Sequence, residues 1–251
     1  MKLRWTLPVL AALLLPGLLL ATTVRAAISP KAILEECDKA RGNLEGVIWT
    51  VSVEAREKGK QHYRKLLVKS RGFDTVAEIL APPQQKGHLL LMVKGNMWFY
   101  KPDISKPVPV SQRQKLLGLA TNGDIASTNY ARDYEILDWQ ETTLDGEPCY
   151  QFELAATGQA ATYARIRYWV AKQPLVGIKA EFYTANGDKL LKSAIMRYEN
   201  LVATHEGKQP FISKMMIRDE LLSDDVTTLS FSDPALQPIP DHVFNLNLLR
   251  K

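Results

Sequence analysis

The residues of this chain that could do acid–base, metal or nucleophilic chemistry do not converge. Its four histidines, His62, His88, His205 and His242, stand apart, and none lies four positions from another. A zinc site of the His-Glu-x-x-His kind needs that spacing to bring two imidazoles onto one metal, and paired cysteine ligands are missing as well. No Gly-x-Ser-x-Gly elbow, phosphate-binding loop or dinucleotide fingerprint occurs. Glu35-Glu36 and Asp224-Asp225 read as solvated helix-face and turn carboxylates rather than as an acid/base pair. An enzyme needs several side chains aimed at one reacting atom, and the sequence offers no such set. An exported hydrolase would rest on size and export alone, with Asp124 or His88 as the residues to test. The expectation is a protein without catalytic residues, metal or cofactor.

The other chemistry on offer is apolar binding. Trp49, Trp98, Tyr100, Tyr168, Ile178, Phe182, Met196 and Met215 sit on segments that read as strands. An ordinary core explains many of them. The sharper reading is a sheet lining a cavity for an acyl chain, since burying such a chain gains about 0.8 kcal/mol per methylene. Methionine suits a variable apolar ligand because it repacks easily. Leu116, Leu117, Ile125 and Tyr130, in a short helical insertion at 111–131, are the candidate cover of that cavity.

The elements that must position these side chains are mostly strands. Ser29-Pro30 starts a helix running to Ala40, with Ser29 as N-cap and Pro30 in the first turn. After Gly42 the apolar period drops to two. Val47, Trp49, Val51 and Val53 share one face; Lys58-Gly59 turns the chain, and strands follow near 60–69, 73–80, 87–94 and 96–101. Beyond the insertion, Ile166, Tyr168 and Val170 share a face that Val176, Ile178, Ala180 and Phe182 continue. Asn186-Gly187 reads as a two-residue hairpin turn. Later strands carry Leu190, Ala194, Met196 and Tyr198, then Phe211, Met215 and Ile217, and last Val226 to Phe231. Neighbouring strands without crossover helices imply an antiparallel sheet, and one this large must curl, close or be covered.

Residues 1–26 read as a signal peptide. Lys2 and Arg4 precede an apolar run from Leu7 to Leu20, and Val24-Arg25-Ala26 offers small residues at the cleavage site. That run is 14 residues, broken by Pro8, Pro16 and Gly17, against the ~20 a membrane-spanning helix needs. A retained anchor is the alternative. Of 32 basic residues three lie in this segment, and 27 acidic residues face the rest, so the mature chain has no nucleic-acid footprint. Cys37 and Cys149 would share an oxidising compartment, and whether they form a disulfide depends on geometry.

Several segments resemble one family in order along the chain. Lys94-Gly95-Asn96-Met97-Trp98-Phe99-Tyr100-Lys101-Pro102 resembles the Gly…Trp-x-Tyr-x-Pro strand of outer-membrane lipoprotein-sorting proteins, the LolA-like family. Gly123-Asp124-Ile125 with Asp133-Tyr134, Gly146 to Leu154, and Tyr163 to Val170 are similar to further strands of the lipoprotein-sorting or lipid-transport branch. Pro174, Ile178, Phe182, Gly187, Lys189 and Leu190 match its hairpin. Carriers of the family have a basic residue before the proline of an early strand; this chain reads Leu80-Ala81-Pro82-Pro83-Gln84 there.

The resemblance implies a mainly β protein with a few helices. Its architecture would be an incomplete, open antiparallel β-barrel of about eleven strands covered by helices, in a single domain over residues 27–251. The function implied is a periplasmic carrier that holds the acyl chains of a lipoprotein or other lipid for transfer toward the outer membrane. An inner-membrane transporter would be its donor and an outer-membrane protein its acceptor. The helix at 30–41 and the insertion at 111–131 would form a lid. Two other readings stay open: an envelope sensor that binds lipidated proteins, and a periplasmic partner of an efflux-type lipid exporter.

Overall fold

Ser29 caps the first helix as the sequence predicts. Its Oγ accepts from the Ala32 N–H at 3.2 Å, and Pro30 takes the first helical position, where a missing N–H costs nothing. This helix, α1 (Pro30–Lys39), turns Ile33, Leu34, Cys37 and Asp38 inward. The computed structural model describes residues 28–104, 106–159, 161–205, 207–221 and 224–248, so the expected signal segment lies outside the described residues.

After α1 come β1 (Val47–Glu57), β2 (Lys60–Arg71), β3 (Asp74–Ala81), β4 (Leu89–Val93), β5 (Asn96–Tyr100) and β6 (Val108–Val110). The next stretch, expected to be helical, opens instead with the hairpin β7 (Lys115–Leu117) and β8 (Ala120–Thr121), and is helical only in a 3₁₀ turn at Asn122–Ile125 and in α2 (Tyr130–Asp133). Long strands then resume: β9 (Tyr134–Leu144), β10 (Glu147–Ala156), β11 (Arg165–Lys172), β12 (Leu175–Tyr183) and β13 (Leu190–Arg197). A small hairpin, β14 (Asn200–Thr204) and β15 (Gly207–Phe211), leads to β16 (Lys214–Asp219) and β17 (Val226–Leu236).

Thirteen of these strands form one antiparallel sheet in the order β6-β5-β4-β3-β2-β1-β17-β16-β13-β12-β11-β10-β9. Because the first strand pairs with the last, the two ends of the strand series meet in mid-sheet. The free edges are β6 and β9, which follow one another along the chain among the strands of this sheet. The sheet is therefore open, and the chain between its edges, residues 111–133, has to run from one rim to the other. That constraint gives the insertion its place.

Local chemistry explains the hairpins. Lys58-Gly59 (φ 49° and 79°), Lys94-Gly95 (50° and 80°) and Asp145-Gly146 (51° and 88°) each have positive φ at both turn residues. This is the type I′ geometry whose twist matches the flanking strands. Pro234, which has no N–H, stands with Asp233 (φ 55°) at a bulge opposite Trp49, between the pairs Ile48–Ala235 and Thr50–Ser232. A proline is tolerated there because no ladder bond is lost.

Three further expectations need correction. The strand count is 17 with 13 in the main sheet, not about eleven, because β6, β7 and β8 are too short to show a period and β14–β15 form a separate hairpin. Asn186-Gly187 is not a two-residue turn: residues 184–189 form a longer loop in which Asp188 accepts from Thr184 Oγ1 at 2.8 Å and from Asn186 Nδ2 at 2.7 Å. Phe211 and Met215 lie on different strands, separated at Ile212-Ser213. Cys37 and Cys149 are both buried and both free thiols. Cys37 packs in the main core, while Cys149 alternates with the core residues Tyr150 and Phe152 and so points to the other face of β10.

Candidate functional site

The inner face of the sheet carries one apolar cluster to which both ends of the sheet contribute. Val51, Leu66, Ile79 and Leu90 come from one half, and Phe152, Tyr168, Phe182 and Ile217 from the other. The chain itself fills the space in front of this face. From α1 come Ile33, Leu34 and Cys37; from the insertion come Leu116, Ala120, Ile125, Ala126 and Tyr130. The insertion therefore occupies the inside of the half-barrel with apolar groups.

Of the predicted lining residues, Trp49, Tyr168, Phe182, Met196 and Met215 belong to this cluster. Trp49 meets Phe211 edge-on at 5.5 Å between centroids, and Phe182 stacks on Tyr163 at 3.7 Å. Met196 and Met215 are register partners on β13 and β16. Gly177 gives Tyr168 its room: a Cβ there would stand 1.7 Å from the phenol oxygen. Trp98 and Tyr100 sit elsewhere. They alternate with Met97 and Phe99, which face the core, so they lie on the opposite face. Trp98 pairs there with Leu91, a member of a second cluster with Val76, Ile239 and Phe244. Ile178 is the residue skipped by a bulge between the pairs Trp169–Lys179 and Val170–Gly177, and it belongs to neither cluster. Sequence alternation could not show which face was inner, nor where the bulge falls.

The four predicted cover residues lie together in the insertion. Leu116, Ile125 and Tyr130 are buried, and Leu117 is half-buried against the same core. Polar side chains hold this segment from every side. Arg64 Nη1 on β2 donates to the Leu116 carbonyl at 2.8 Å, and Lys192 Nζ on β13 donates to the Leu119 carbonyl at 2.6 Å. Thr227 Oγ1 accepts from the Leu119 N–H at 2.8 Å. Asp124 caps its own 3₁₀ turn by accepting from Thr121 N at 2.8 Å, and Tyr163 Oη donates to it at 2.9 Å. Burial and the Asp124 charge push the Tyr163 phenol well above its usual range. Asp124 thus serves as a structural anchor, and His88 meets Phe99 edge-on at 5.5 Å.

Further buried charges join the insertion to α1. Both oxygens of Asp38 accept from the start of α2, at 3.0 Å from each of the Tyr130 and Ala131 N–H groups. Burial raises the Asp38 pKa to about 7 despite those bonds. Arg41 lies over the Tyr130 ring at 5.5 Å, with Nη2 4.0 Å from Met215 Sδ. Sequence reading passed over Asp38, Arg64 and Lys192, yet each left a trace. Asp38 stands four positions after Leu34 on the buried face of α1. Arg64 stands two and four positions before Leu66 and Val68, and Lys192 likewise before Ala194 and Met196, so each is a charge placed on an inward stripe.

Beside the insertion a groove of about 480 Å³ remains, lined by Ile79, Leu90, Phe99, Val110 and Leu116 together with the polar Arg64, Gln114, Lys115 and Asn122. Its size falls within the usual ~300–1,000 Å³ of small-molecule sites. A wider, open cleft of about 1060 Å³ lies over Leu44 and Phe73, between the ends of α1 and α2 and the β2–β3 and β4–β5 turns. Among the described residues no group of three or more His, Cys, Asp or Glu is placed to hold a metal ion, and no helix is long and apolar enough to cross a membrane.

An open antiparallel half-barrel whose inner face is covered by a helix and by the strap joining its edges defines the class. Comparison with known proteins agrees. The LolA superfamily protein of Nitrosomonas europaea is 30% identical, with 87% of this chain and 98% of that one aligned and a TM-score of 0.76. This chain belongs to the LolA superfamily. A family model described as an uncharacterized protein matches residues 73–251. The same fold is found in a putative outer membrane lipoprotein-sorting protein domain from Vibrio parahaemolyticus (20% identity, 88% and 98% aligned, TM-score 0.71). It recurs in a DUF1329 family protein from Desulfovibrio piger (18% identity, 87% and 97% aligned, TM-score 0.70). No curated protein matches the chain by sequence.

Proposed function

We propose that this protein is a non-enzymatic periplasmic carrier that holds the acyl chains of a lipoprotein or another lipid on the inner face of its half-barrel. Residues 1–26 act as the export signal and residues 27–251 as one carrier domain. The observation that carries the reading is that the apolar inner face is covered by a segment strung between two free sheet edges. Polar side-chain bonds and apolar packing hold that segment, which contributes no strand to the 13-stranded sheet, so it can lift as a unit while that sheet stays intact. Lifting it uncovers Tyr168, on which Tyr130 packs, and opens the cluster that also holds Trp49, Phe182, Met196 and Met215, where an alkyl chain of the ligand replaces Leu116, Ile125 and Tyr130. Membership of the LolA superfamily supports the same reading. Cargo passes from an inner-membrane donor to an outer-membrane acceptor.

The test is to purify the protein from the periplasm, identify co-purifying lipid by mass spectrometry, and measure uptake of a synthetic diacylated lipopeptide. Saturable one-to-one uptake is the expected result. Absence of both co-purifying lipid and lipopeptide uptake refutes the proposal.

A further inference from the structure

The 480 Å³ groove beside the insertion is lined by apolar and by polar side chains, two of them cationic. Ile79, Leu90, Phe99 and Val110 come from β3, β4, β5 and β6, so the apolar lining crosses four neighbouring strands. Gln114 and Asn122 supply neutral polar groups, Arg64 and Lys115 supply positive charge, and among the described residues no acidic side chain lines it.

The two cations differ. Lys115 is paired with Glu57 at the surface. Arg64 spends Nη1 on the Leu116 carbonyl at 2.8 Å, while its Nε is buried without a hydrogen-bond partner. Burial pulls the Arg64 pKa down, and no carboxylate offsets that effect. A buried N–H without a partner is costly, more so on a charged group, and native proteins leave few of them. A guanidinium whose charge no carboxylate offsets is matched by an anionic oxygen.

Resting on the carrier reading, we propose that this groove is a port for a long-chain fatty acid, its carboxylate on Arg64 and its chain lying over Leu90, Phe99 and Val110. The unopposed positive charge of Arg64 beside the apolar side chains of Ile79, Leu90, Phe99 and Val110 selects this occupant. Because Arg64 also holds the Leu116 carbonyl, a carboxylate on Arg64 competes with that bond, and the head group loosens the strap as the chain arrives.

The test uses three probes with one chain and different heads: dodecanoate, dodecanol and dodecyltrimethylammonium, each below its micellar concentration, titrated by calorimetry into residues 27–251. Dodecanoate should bind at least about tenfold more tightly than the other two, the discrimination a charge-assisted hydrogen bond supplies. Arg64→Gln should erase that preference, so that within this variant dodecanoate binds no more tightly than dodecanol. Lys115→Gln, which leaves the Leu116 bond in place, should keep most of the preference, and a retained melting temperature shows that each variant is folded. Equal binding of all three heads overturns the carboxylate site and leaves the carrier reading standing. So does uptake of the diacylated lipopeptide with no binding of any single-chain probe. Failure of every probe and of the lipopeptide overturns both.

Discussion

Arg64 and Leu116 are joined across the mouth of the half-barrel by a 2.8 Å hydrogen bond from the guanidinium to the main-chain carbonyl. From the opposite wall, Lys192 donates to the Leu119 carbonyl at 2.6 Å. One cation on β2 and one on β13 thus grip the same hairpin, and the insertion is held by side chains more than by the sheet ladder.

That grip predicts how the cover moves. Lys192→Met keeps the apolar stem and removes the donor, and a hydrogen bond to a charged group is worth roughly 1.5–3 kcal/mol. Amide exchange at 115–121 should rise by about tenfold or more in this variant, while β11 and β12 stay protected. In the unaltered protein, residues 111–131 should already exchange faster than 162–184. Equal protection of the two segments would contradict a movable cover.

Asp38 gives stability a definite pH trend. Its folded pKa is raised to about 7 from the ordinary carboxylate value, so the folded state binds the proton more tightly than the unfolded chain does. The stabilisation is fully present below about pH 4 and is lost as pH rises through about 7. Thermal melts from pH 4.5 to 7.5 should show this contribution as a falling melting temperature, and Asp38→Asn should flatten that part of the profile. A profile unchanged by the substitution would remove Asp38 as its source.

Gly177 is required by Tyr168. A methyl group at 177 would overlap the phenol, whose oxygen would be 1.7 Å away, and overpacking of this kind costs roughly 1–3 kcal/mol. Gly177→Ala should therefore lower the denaturant midpoint, whereas Gly146→Ala, at a turn where nothing lies within 4 Å of the new carbon, should show only the smaller strain of a positive φ.

The two thiols should be silent in the native state. Both are buried, and burial raises the pKa of each, which suppresses the thiolate that reacts. A thiol reagent should label Cys37 and Cys149 only after unfolding, and the mass should match two free thiols without reduction. Rapid native labelling would show that α1 or β10 opens more readily than its packing implies.

The sequence was readable where a pattern repeats or a turn demands special residues. Ser29-Pro30, Lys58-Gly59 and Lys94-Gly95 all act as their chemistry predicts, and the long strands follow their period-2 stripes. Which side of a stripe is inner depends on the whole sheet. Met97-Trp98-Phe99-Tyr100 is apolar on both faces, so alternation alone could not assign Trp98 and Tyr100 to the outer one. The bulge at Ile178 and the two-residue strand β8 leave no periodic mark. Arg64 and Lys192 looked like ordinary strand charges until the strap between β6 and β9 was seen to lie against them.

The most direct test of the central claim is to load the protein with an acyl chain carrying a terminal diazirine and map the photo-crosslinks by mass spectrometry. The account predicts saturable labelling on the inner face, at Leu90, Phe99, Val110 and Leu116, spreading to Tyr168 and Phe182 as the strap lifts. Labelling confined to Leu91, Trp98 and Phe244 on the outer face, or no saturable labelling at all, would contradict it.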